Sequence, residues 1–195
     1  MVMEMMDQVM SKGYLKIYLG PMFAGKTSAI VQNYRRYSHA GKRVLVINHS
    51  LDDRYSKTSL STHDGIEIPC KFTASLETMN DEVKNEFDVI LINEGQFFPD
   101  LVEYVLSWVE DYQKVVYVCG LDGDSERRPF GEILKLIPFA DDYEKLTSIC
   151  EKCGMHAPFT FRNPESSNGQ TIQIGVTVFK PMCRDCFVKS VKETS

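Results

Sequence analysis

Four apolar runs punctuate the chain: "YLKIYLG" at 14–20, "RVLVINH" at 43–49, "VILIN" at 89–93 and "KVVYVCG" at 114–120. Each is rich in β-branched residues and bounded by turn-forming or charged ones. Near-continuous runs of this kind fit strands covered on both faces of a parallel sheet. Longer amphipathic stretches lie between them. In "TSAIVQNYRRYSHAGK" at 27–42, Ile30, Tyr34 and Tyr37 recur at helical spacing and Gly41 supplies a stop. Residues 100–111 repeat the pattern, with Leu101, Val105 and Trp108 on one face. Strands alternating with helices predict an α/β fold with right-handed crossovers over 14–145.

The pattern changes near residue 146, where paired cysteines begin. "RNPESSNGQ" at 162–170 is polar and rich in turn formers, as in a mobile loop, and "TIQIGVTVF" at 171–179 reads as a short strand or hairpin arm. The chain therefore divides into an N-terminal tail (1–13), an α/β domain (14–145), a second lobe (146–190) and a C-terminal tail (191–195). The opening "MVMEMMDQVM" carries Glu4 and Asp7 and lacks the basic and apolar regions of a signal peptide. It reads as a disordered or helical tail. No apolar run approaches the ~18 residues of a membrane span, so the expected location is the cytoplasm, away from any membrane.

Composition narrows the partners. At 195 residues, 43% hydrophobic and 25% charged, the chain suits a soluble globular protein. A net charge of −5 argues against a nucleic-acid surface, which needs clustered Lys and Arg. A small phosphorylated ligand is still compatible.

"GPMFAGKT" supplies such a site: Gly20, Pro21, Met22, Phe23, Ala24, Gly25, Lys26 and Thr27 match G-x-x-x-x-G-K-[ST], with a predicted strand before and a predicted helix after. Backbone N–H groups around the turn, backed by the helix N-terminus, form a concave anion site. Gly25 permits close approach of phosphates, Lys26 reaches the β- and γ-phosphates, and the Thr27 hydroxyl is placed for Mg²⁺. A second strand ends in Asn93 and Glu94, the latter a carboxylate suited to general-base or metal-water work. "GLDGD" at 120–124 closes another strand with acids, at the edge where open α/β sheets bind ligands.

Of the six cysteines, Cys150, Cys153, Cys183 and Cys186 form two Cys-x-x-Cys pairs, whereas Cys70 and Cys119 stand alone in apolar surroundings. Two such knuckles complete a tetrahedral S₄ site for Zn²⁺ with no open position, so the metal is structural. His156 is left as a surface residue.

Taken together, "GPMFAGKT", "EGQFF", "GLDGD…RRPFG" and the cysteine pairs framing a long loop resemble the zinc-containing (type II) thymidine kinases, over about 14–187. The resemblance implies a P-loop parallel sheet flanked by helices, with a small C-terminal zinc-ribbon lobe carrying a lasso loop. It implies transfer of the ATP γ-phosphate to the 5′-hydroxyl of thymidine, with Mg²⁺, in a homotetramer. Glu94 then matches the general base. Gly20 to Thr27, with Asp52, Asp53, Arg54, Asn93 and Gln96, match ATP-side positions. Met22, Phe97, Leu121, Ser125, Thr160, Phe179 and the lasso segment Thr171, Ile172, Gln173, Ile174 and Gly175 match positions around the nucleoside. On its own pattern Met22 or Phe97 is as readily a core side chain; the resemblance decides for the pocket.

Three positions depart from the family pattern. Asn93 replaces an Asp, Ser125 replaces an aromatic that stacks on the base, and the lasso reads "IGVTVF", one residue short, with Phe179 for Tyr. An Asn meeting the metal through water still accepts a hydrogen bond, without charge, and loss of such a partner costs roughly 10–100-fold. Asp122 and Asp124 are the candidates to compensate. Arg127 and Arg128 are candidates to stabilise the transferring group. The alternatives are a kinase for another deoxynucleoside, a nucleotide-binding regulatory scaffold, or a zinc-ribbon ATPase acting on nucleic acid, which the acidic charge disfavours.

Overall fold

The computed structural model describes residues 12–51, 58–62, 65–162 and 178–194. Asp52, Asp53, Arg54 and the Thr171 to Gly175 segment lie outside the described residues. The chain enters through β1 (Tyr14–Leu19), turns through the 20–25 loop into α1 (Lys26–His39) and returns in β2 (Val44–His49). A small antiparallel hairpin, β3 (Ser59–Ser61) with β4 (Glu67–Pro69), precedes β5 (Lys71–Thr73), α2 (Asn80–Glu86) and β6 (Val89–Ile92). Next come α3 (Leu101–Leu106), β7 (Val115–Gly120), a 3-10 stretch over Ile133–Phe139 and β8 (Asp142–Lys145).

Six strands form one sheet in the order β5-β2-β6-β7-β1-β8, every pairing parallel. β6 and β7 behave as expected of doubly covered strands, dividing their residues between two cores, whereas β1 alternates buried Leu15, Ile17 and Leu19 with half-buried Tyr14, Lys16 and Tyr18. Ile90, Ile92, Val116 and Val118 face one core with Leu101, Val105 and Trp108; Val89, Leu91, Val115 and Tyr117 face the other with Ile30, Val31 and Tyr37 of α1. Tyr34 lies only partly buried beside that second core. Gly41, at φ 73°, ends α1 as its left-handed stop, and its N–H donates to the Ser38 carbonyl at 3.0 Å.

One helix departs from its expected regularity. Beyond Leu106 the expected 100–111 helix widens into a π-helical turn at Ser107–Asp111. The wider turn keeps Trp108 fully buried, with its indole N–H donating to Asn80 Oδ1 at 2.9 Å.

The remaining described elements build the second lobe. β9 (Ser148–Ile149) pairs with β10 (His156–Ala157), and β11 (Phe159–Arg162) pairs with β12 (Phe179–Met182), both antiparallel. α4 (Arg184–Thr194) follows and runs past the boundary expected at 190. Cys150, Ala157, Phe161, Met182 and Phe187 form a small core of their own.

Candidate active site

Because β6, β7 and β1 are neighbours in a parallel sheet, the residues after them gather along one carboxyl edge. Gly20 follows β1, Asn93 and Glu94 follow β6, and Leu121 follows β7. The 20–27 loop is the turn its motif requires. Gly20 sits at φ 142°, and a Cβ there would lie 2.5 Å from the Leu146 carbonyl oxygen. Gly25 sits at φ 84° with open space beside it, and even Phe23 adopts φ 62°. Lys26 is buried at the start of α1, its ammonium donating to the carbonyls of Gly20 at 3.0 Å and Pro21 at 2.6 Å. Thr27 follows in the first helical turn, where the N-terminus of α1 favours anions.

Glu94 takes a left-handed conformation, φ 54° and ψ 42°. In a non-glycine residue such a conformation costs on the order of 1–3 kcal/mol and is often retained at functional sites. Gly95 behind it lies against β7, so that a Cβ there would meet Val118 Cγ1 at 2.7 Å. Asn93, 2% exposed, donates from Nδ2 to Asn48 Oδ1 at 3.1 Å and accepts the Cys119 thiol at 3.0 Å. It thus joins the ends of β2, β6 and β7. Gln96 is also buried, its amide engaged at both ends by Glu94 and the Leu121 N–H.

The acids of "GLDGD" are committed elsewhere. Asp122 pairs with Lys145, and Asp124 binds the Arg128 guanidinium and the N–H groups of Glu126 and Arg128. Burial raises the Asp124 carboxyl, but these donors outweigh it and hold the group below its ordinary range. Arg128 is therefore a turn residue. Arg127 lies over the Phe187 ring at 4.4 Å and the Phe159 ring at 5.5 Å, so it holds the second lobe.

Around the expected nucleoside pocket, the Met22 N–H donates to Thr160 Oγ1 at 3.1 Å, which brings the P-loop against β11. Phe97 packs edge-on against Phe130, with centroids 5.5 Å apart, and lies 5.7 Å from the His49 ring. Leu121 and Ser125 are half-buried after β7, and Phe179 opens β12 opposite Arg162. The β11–β12 pair is the base from which the 163–177 segment departs.

The four cysteine sulfurs of Cys150, Cys153, Cys183 and Cys186 lie within 4.8 Å of one another, as a tetrahedral thiolate site demands. Burial raises the Cys150 thiol, but backbone N–H groups of Cys183, Cys153 and Lys152 overcome this and bring it down to about 6. Neighbouring thiols push Cys186 up to about 12. The donor set fits Zn²⁺, and His156 stays outside it, exposed beside Thr147.

A family model described as "Thymidine kinase" matches residues 13–187. The chain belongs to the thymidine kinase family. The thymidine kinase of Yaba monkey tumor virus is 41% identical over 179 residues, covering 91% of this chain and 96% of that protein. Thymidine kinase a of Arabidopsis thaliana is 39% identical over 180 residues, 90% of this chain and 75% of that one. The thymidine kinase of vaccinia virus (strain Ankara) is 37% identical, covering 93% of this chain and all of its own length, 100%.

Sequence reasoning missed Asn48, Cys119 and Phe130 in this thymidine kinase. Asn48 had a readable signal. It ends an apolar run as Asn93 does, and the pairing of Ile47 with Ile92 makes the two asparagines neighbours.

Proposed function

We propose that this chain transfers the γ-phosphate of ATP to the 5′-hydroxyl of thymidine, with Glu94 as the general base. The observation that carries this reading is the convergence on one sheet edge of a P-loop, a strained carboxylate and the base of the 163–177 segment. Phosphoryl transfer asks the protein chiefly for positioning and electrostatic stabilisation. Backbone N–H groups of residues 20–27 hold the phosphates, and Lys26 exchanges its carbonyl partners for β- and γ-phosphate oxygens. Glu94 orients the 5′-hydroxyl and accepts its proton. Asp52, Asp53 and Arg54 contribute to the ATP side. Met22, Phe97, Leu121, Ser125, Thr160 and Phe179 surround the nucleoside, and Thr171 to Gly175, outside the described residues, are assigned to recognition of the base edge.

Thr27 is the residue that would hold Mg²⁺, which would supply neutralisation of phosphate charge. Asn93 has its amide engaged by Asn48 and Cys119, so its part is to tie together the ends of β2, β6 and β7 just before Glu94. The tetrathiolate site takes structural Zn²⁺. Residues 14–145 serve as the nucleotide-binding domain and 146–190 as the zinc and lasso lobe. A homotetramer and a cytoplasmic location complete the reading, supported by family membership.

The test is phosphate transfer from ATP and Mg²⁺ to each deoxynucleoside. Turnover of thymidine is the expected result. Turnover of another nucleoside alone would favour the altered positions Ser125 and Phe179 as specificity changes; ATP binding without transfer would favour a regulatory scaffold.

A further inference from the structure

Gln96 is 3% exposed and bridges the ends of adjacent strands β6 and β7. Its Oε1 accepts the Leu121 N–H at 2.9 Å, and its Nε2 donates to Glu94 Oε2 at 2.6 Å. Chemistry dictates this orientation of the amide. The Leu121 N–H is a donor and claims the carbonyl oxygen, which turns the NH₂ toward the accepting Glu94 Oε2.

Two glycines make room for the arrangement. A Cβ at Gly120 would lie 2.4 Å from Gln96 Oε1, and one at Gly131, itself at φ 61°, would lie 1.9 Å from the Gln96 carbonyl oxygen. The left-handed backbone of Glu94 sets where its side chain leaves the chain; Gln96 sets where the carboxylate ends.

We infer that Gln96 is a positioning residue for Glu94, and not a contact for the nucleotide. The inference rests on the proposed role of Glu94 as base. A general base must lie within hydrogen-bond reach of the proton it takes, and a misplacement of about 1 Å costs up to ~100-fold in rate. Tethering one carboxylate oxygen to β7 ties the base to the strand end that also carries Leu121, a wall of the proposed nucleoside pocket. The 5′-hydroxyl and its acceptor are then placed by one rigid unit.

The test is steady-state kinetics on Gln96→Glu, Glu94→Gln and the double variant. Gln96→Glu keeps the acceptor for the Leu121 N–H and the shape of the side chain but replaces the amide donor with a second carboxyl beside Glu94, so that the two acids compete for a proton and the base loses its neutral tether. Its kcat is expected to fall roughly 10- to 100-fold, with KM for ATP and thymidine unchanged within about twofold. In the Glu94→Gln background the same change is expected to lower kcat no further, because both act through one carboxylate. A purely structural role would lower thermal stability and leave this non-additivity absent. Gln96→Met, which removes the donor without adding a charge but also gives up the acceptor for the Leu121 N–H, is read beside it: if circular dichroism shows it folded, its kcat is expected to fall by a similar factor and no further in the Glu94→Gln background. An undiminished kcat, a raised KM for ATP with normal kcat, or losses that multiply in the double variant would each overturn the inference. Full turnover by Glu94→Gln alone would instead overturn the base assignment beneath it, and that single variant reads it separately.

Discussion

The backbone N–H of Met22 donates to Thr160 Oγ1 at 3.1 Å, joining residues 138 positions apart. Through this bond the phosphate loop and the β11–β12 pair share one geometry. Thr160 is buried, so its loss leaves a donor with poor access to water. Thr160→Val is expected to cost about 0.5–1.5 kcal/mol of coupling, seen as a several-fold rise in KM for thymidine. Thr160→Ser should restore it. Equal KM values for the Val and Ser variants would contradict the coupling.

Removal of zinc is expected to disorganise residues 146–194 and abolish turnover, because metal binding and folding are linked in tetrathiolate sites. The small core around Ala157, Phe161 and Phe187 includes Cys150 itself, so loss of the metal loosens that core directly, leaving Arg127 and the Met22–Thr160 bond as outside anchors. Metal analysis should find about one zinc per chain, and proteolysis after chelation should cut within the lobe first. Cys183→Ser should behave as the chelated protein does. Resistance of the chelated lobe to protease would argue that the thiols are not its anchor.

Asn93→Asp removes the Nδ2 donor and sets a carboxylate against Asn48 Oδ1, which also accepts the His49 N–H. Loss of a buried partner costs about 1–3 kcal/mol. Urea unfolding should show that loss in the single variant. Equal or higher stability would mean that Asn48 turns readily to meet the acid.

The Arg43–Asp88 pair offers a test by pH. The Arg43 guanidinium, 2.8 Å from Asp88, holds that carboxyl below its usual 3.8. A depressed folded-state value contributes stability at pH values above 3.8 and loses it as pH falls through the folded value. The stability gap between wild type and Arg43→Met should therefore be full near neutrality and close in acid. Both groups are partly exposed, so the gap should be small and shrink with salt. A gap that widens in acid would contradict the pairing.

How legible the molecule was follows from the kind of signal each part carries. The runs at 89–93 and 114–120 became β6 and β7 because strands buried on both faces must be apolar throughout, whereas 14–20 became β1 with one face buried and the other, Tyr14, Lys16 and Tyr18, only half-covered. β8 was invisible for the opposite reason: all four of its residues are exposed, and it joins the sheet through backbone pairing with β1 and the Lys16–Asp142 ion pair, without apolar packing. The P-loop and the cysteine quartet were readable because their chemistry is local. The commitments of Asn93, Asp122 and Arg127 were not, since each depends on a partner brought near by the fold, whereas Asp124 is held within its own turn by Glu126 and Arg128. Polar strand ends such as Asn48 and Asn93 say nothing in sequence about whether they meet a ligand or each other.

The central claim is that the strained Glu94 carboxylate is the base of the transfer. The most direct measurement is kcat of Glu94→Gln with ATP and thymidine, alongside its affinity for ATP. A fall in kcat of ~10²–10⁴-fold is expected, with ATP affinity kept, because the phosphate loop is untouched. Undiminished turnover in a folded Glu94→Gln protein would contradict the claim and remove Glu94 from the chemistry.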